Sequence, residues 1–146
     1  MRRSVLLFAA LGLLWSGTAA AQSVESVLKA FDYIGRWAPD CQLPPSGGNP
    51  LLYVSVLNVG LAEHRYDFGN SRSEINEIYE ARRTGPNELT LLIRFRDGRI
   101  REQIIVRSDA RIRTMSYRTP GGEVITRDGI ILAVKSPTAT LERCRD

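Results

Sequence analysis

ELTLLIRFRDGRIREQIIVR, residues 88–107, sets two apolar-rich runs on either side of Asp97-Gly98. Alternation of apolar and polar side chains marks a half-buried strand, and Asp-Gly between two such runs is the strongest short hairpin signal. With a two-residue turn, Arg96 pairs with Arg99, Phe95 with Ile100, Arg94 with Arg101 and Ile93 with Glu102. The face bearing Leu89, Leu91, Ile93, Phe95, Ile100, Ile104 and Val106 is then the core face. The opposite face carries Arg94, Arg96, Arg99 and Arg101, a basic patch that could receive an anionic partner.

The same rhythm runs outward from this hairpin. Alternating segments at 51–58, 62–68, 73–82, 111–118, 123–126 and 130–134 are separated by turn residues such as Gly69-Asn70, Pro120-Gly121-Gly122 and Asp128-Gly129. Short strands at this spacing predict an all-β antiparallel fold. With 35–38 as a first strand, the count is about eight to nine, which suits a small up-and-down barrel closed on itself. Before the strands, Val24, Val27, Leu28 and Phe31 recur at helical spacing behind Ser23, a good N-cap, and predict one short helix.

Residues 1–21 read as an export signal, with Arg2 and Arg3 before an apolar run and Ala19-Ala20-Ala21 at the cleavage point. The run is too short to span a bilayer, so no membrane span is expected after cleavage. Removing 21 residues from 146 leaves residues 22–146 as a single domain. It also takes 20 basic residues to 18 against 16 acidic ones, so the net charge falls to +2. That balance argues against nucleic acid as a partner. In an oxidising periplasmic or secreted setting, Cys41 and Cys144, the two cysteines, are expected to pair. They close a loop of about 100 residues, worth up to about 4.7 kcal/mol in the chain-entropy picture.

A short helix, then Gly35-x-Trp37 opening the first strand, then an antiparallel meander with Arg143 near its end, resembles the lipocalins and the wider calycin group, which includes the avidins. The resemblance implies that Trp37 closes one end of the barrel and that Arg143 covers it. The Thr-Asp-Tyr-type motif of lipocalins is absent, so the likeness bears on architecture more than on function.

Aligning the apolar faces strand by strand, with a four-residue loop at 69–72, a five-residue loop at 83–87 and a three-residue loop at 108–110, turns a polar belt inward. It consists of His64, Glu77, Glu102 and Ser116, with Tyr66 and Tyr79 beside it. Buried carboxylates need partners or a wet cavity, so these six residues are the candidate ligand site. No nucleophile elbow, phosphate-binding glycine loop or metal-ligand spacing is present, and no cofactor is expected. The sequence therefore points to non-catalytic binding of a small molecule or envelope component. The alternative is an envelope interaction protein, such as an inhibitor of a lytic enzyme, that uses loops and the arginine face.

Overall fold

The computed structural model describes residues 22–145, so the export signal lies outside the described residues. Helix α1 (Val24–Ala30) is followed by β1 (Gly35–Ala38), β2 (Leu51–Asn58), β3 (Leu61–Asp67), β4 (Ser73–Gly85), β5 (Glu88–Arg94), β6 (Ile100–Ser108), β7 (Arg111–Arg118), β8 (Val124–Arg127), β9 (Ile130–Ile131), β10 (Ser136–Pro137) and β11 (Thr140–Cys144). Strands β1 to β7 pair consecutively and antiparallel, and β11 pairs with both β7 and β1. The result is a closed eight-stranded barrel with one short helix.

Helix α1 starts where the Ser23 side chain accepts a hydrogen bond from the Ser26 backbone N–H. It stops in a left-handed turn at Asp32 (φ 57°), where the Asp32 and Tyr33 N–H groups bond the carbonyls of Lys29 and Leu28. That arrangement satisfies the last helical carbonyls without a glycine. The face carrying Val24, Val27 and Leu28 is buried in the same apolar cluster as Ile78, Leu89, Leu91, Ile93 and Ile105. The helix thus fills one end of the barrel. The turns at 59–60, 86–87 and 109–110 lie at that end, and those at 69–71 and 96–98 lie at the other.

The closing strand is not the one the sequence rhythm selected. Segments 123–126 and 130–134 were expected in the wall, yet β8, β9 and β10 form a flap outside the eight-stranded ring. Strand β7 forks: Arg111 to Arg113 pair with β11, while Tyr117 and Arg118 pair with β8. Closure falls to β11, whose TLERC sequence alternates Leu141 inward with Glu142 outward and is too short and charged to announce a strand. The flap is stitched to the fork by Arg113, which donates to the Gly129 carbonyl (2.8 Å) and to Thr138 Oγ1 (3.1 Å). Thr138 Oγ1 in turn donates to the Thr114 carbonyl at 2.7 Å.

Turn lengths also differ from expectation: the 83–87 loop shrinks to a two-residue turn at 86–87, with β4 running on to Gly85 and Ala81 opposite Leu91 rather than Leu89, and three others differ by one residue. At the central hairpin, Gly98 N–H bonds the Phe95 carbonyl and Phe95 N–H bonds the Arg99 carbonyl, with Gly98 at φ +81°. This is a three-residue loop ending in a left-handed glycine, not a two-residue turn. The slip sets Arg94 opposite Ile100 and Ile93 opposite Arg101. Because side chains alternate faces, every residue of β6 is exchanged between inside and outside. Likewise the β3–β4 loop is three residues, 69–71, and places Asn76 rather than Glu77 opposite His64. The 109–110 turn is two residues long, and a bulge between Ile104 and Ile105 sets Glu102 opposite Arg118 rather than Ser116.

Candidate functional site

The end of the barrel beneath α1 is sealed around Trp37, which is 1% exposed. Its indole Nε1–H donates to the Tyr33 carbonyl at 2.8 Å. The Arg143 guanidinium lies over the ring, 5.5 Å from its centroid, and donates to the Ile34 and Asp32 carbonyls and to the Asp32 carboxylate. Arg107 reaches the same Asp32 carbonyl and stacks on Phe31. Gly35 is needed here for two reasons. Its φ is +135°, and a Cβ would stand 3.1 Å from Arg143 Nη2. The structure therefore brings Gly35, Trp37 and Arg143 into one closure. The Cys41–Cys144 disulfide forms on the flank of this region, joining the β1–β2 loop to β11.

Beyond that seal the barrel is hollow. A cavity of about 360 Å³ lies among the strands and the flap, with apolar walls from Leu52, Ile105, Ile112, Ile125, Ile131 and Leu141. Polar groups reach it from Tyr33, His64, Tyr66, Gln103, Thr114 and Tyr117. Aromatic rings run from the sealed end toward the open one. Tyr33 sits 6.2 Å from Trp37 and stacks on His64, His64 meets the Tyr66 ring edge-on at 5.2 Å, and Tyr66 stacks on Phe68.

Burial governs the charge state of these groups. His64, 2% exposed, has its pKa lowered to about 4 because the cation would be desolvated, so it is neutral at pH 7. Its Nε2 lies 3.1 Å from the Tyr33 hydroxyl. Burial raises the pKa of Tyr33 and Tyr66, and pushes Tyr117 up to about 12 against the pull of the neighbouring Arg101. All three hydroxyls keep their protons. Gln103 donates to Thr114 Oγ1 at 2.7 Å, while its Oε1 and His64 Nδ1 are buried without a hydrogen-bond partner.

Of the six residues expected in an inward belt, His64 and Tyr66 line the cavity. Glu77 turns outward to within 3.7 Å of Arg94, and Tyr79 lies outside beneath the same guanidinium. Glu102 is outside and paired with Arg118, and Ser116 sits opposite Ile104 on the outer face. These four are displaced by the differences in turn length and by a bulge in β4 between Ile78 and Glu80. The expected four-arginine face is divided for the same reason, with Arg96, Arg99 and Arg101 still lining one depression and Arg94 set apart from it. Arg94 faces Glu77, Arg99 pairs with Asp97, and Arg101 points inward beside Ile93. The residues that replace the misplaced ones, Gln103, Thr114 and Tyr117, were findable only by reading Arg96-Asp97-Gly98 as a three-residue loop.

Among the described residues no group of three or more His, Cys, Asp or Glu is placed to hold a metal ion, and no helix is long and apolar enough to cross a membrane. Comparison with protein-family models, with curated proteins and with solved structures found no match to this chain.

Proposed function

We propose that this chain is an exported, lipocalin-like barrel that binds a small, mainly apolar ligand in its interior without transforming it. The observation that carries the reading is the cavity of about 360 Å³, apolar on most of its wall with a few convergent polar groups. That combination is the usual character of small-molecule sites. At about 30 Å³ per water-sized group, the space suits a body of about a dozen non-hydrogen atoms. His64, with its pKa lowered to about 4, is a weak base, and the protonated tyrosines offer hydrogen bonds rather than a nucleophile, which supports binding over catalysis. The sealed end formed by Gly35, Trp37 and Arg143 supports kinship with the lipocalins. The disulfide supports a periplasmic or secreted site of action.

Titration with the neutral fluorophore 1-aminonaphthalene tests the reading. Its emission is expected to rise and shift to the blue on binding to the native protein. Ile131→Trp, which fills the cavity from the flap, is expected to abolish that change while leaving the melting temperature close to the parent's. No response from the native protein, or an equal response from the variant, would mean the interior is not the site.

A further inference from the structure

The inward turn of Arg101 gives the open end of the cavity a chemistry the apolar interior lacks. Arg101 lies opposite the buried Ile93 and so projects toward the barrel axis. Its guanidinium lies against two neighbouring rings, 5.1 Å from Phe95 and 5.2 Å from Tyr117. Among the described residues Arg101 makes no ion pair, and its Nε is buried without a hydrogen-bond partner. Tyr117 lines both the cavity and a surface depression at the open end, which it shares with Glu74, Phe95, Arg96, Arg99 and Arg101. The two spaces therefore adjoin across a single ring.

Resting on the cavity reading above, we propose that the ligand carries one carboxylate, held at the mouth by Arg101 and the Tyr117 hydroxyl while its apolar body fills the interior. A stacked guanidinium keeps its planar donors in place and matches a carboxylate in geometry. The surroundings select for a single negative charge. Three arginines, Arg96, Arg99 and Arg101, face two acids, Glu74 and Asp97, around the depression. Asp97 is matched by Arg99, and Glu74 accepts from Asn76 Nδ2 at 3.0 Å. A dianionic phosphate would share the depression with both acids, against the one net positive charge its side chains carry. Arg113 is the one charged residue lining the cavity itself, and its guanidinium is committed to Gly129 and Thr138 in holding the flap.

Displacement of 1-aminonaphthalene by decanoate, decanol and decyl phosphate tests the assignment. Decanoate is expected to compete best. Arg101→Gln should weaken decanoate by about tenfold or more, the worth of a charge-assisted hydrogen bond, and leave decanol unchanged. Unchanged decanol binding also reports that the variant is folded, and Arg101→Lys should retain part of the preference. Equal competition by decanoate and decanol, preference for decyl phosphate, no effect of Arg101→Gln on decanoate, or a larger loss in Arg113→Gln would overturn the head-group assignment. So would fluorophore binding that decanoate cannot displace. Failure of the fluorophore and all three amphiphiles to bind would remove the cavity reading and this assignment together.

Discussion

His64 shows how one buried residue sets a pH limit on the whole barrel. Its folded pKa of about 4 lies below the ordinary value of 6.5, because burial disfavours the cation. Above about pH 6.5 the ring is neutral in both folded and unfolded chains, and the fold carries no penalty. As pH falls from 6.5 toward 4 the unfolded chain takes up a proton that the folded one refuses, so stability is lost across that window. Below about 4 both forms are protonated and the loss levels off. The full difference corresponds to about 3 kcal/mol. Urea midpoints at pH 7 and pH 4.5 should therefore differ by more in the native protein than in His64→Gln, which cannot titrate. Equal differences would show that the imidazole does not govern acid stability. The same burial makes His64 a weak base near neutrality.

At the scale of elements, β11 and the disulfide complete the wall that β1 begins. Cys41 and Cys144 are separated by 103 residues, and the bond ties the β1–β2 loop to the closing strand. Reduction, or the Cys41→Ser/Cys144→Ser double variant, is expected to lower stability by up to about 4.7 kcal/mol, read as a drop in melting temperature. An unchanged melting temperature would mean that the short β11 holds by its backbone pairing alone. The helix, the hairpin order and the cysteine pair were all legible in the sequence, because each rests on composition or period. Register was not. RDG closes a two-residue or a three-residue loop with little to separate them in sequence, yet the difference decides whether Glu102 or Gln103 meets the cavity. Strand β11 was invisible for another reason: TLERC gains its place from the Leu141 and Arg143 contacts it makes after folding, not from any apolar run of its own.

For the whole molecule, the two ends of the barrel differ in packing. One end is filled by α1 and sealed by Trp37 under Arg143. The interior beyond Tyr33 stays open between the strands and the flap, and the aromatic run from Trp37 to Phe68 connects the two regions. A ligand received in this interior would lie against the strands that line the cavity. The most direct measurement is a backbone ¹⁵N–¹H titration of the protein with 1-aminonaphthalene, whose ring current marks the amides it approaches. Saturable shifts centred on Gln103, Ile105, Thr114 and Tyr117, with the outward-facing Glu77 and Arg94 unmoved, are the predicted result. Shifts confined to the outer face, or none at saturating probe, would contradict it.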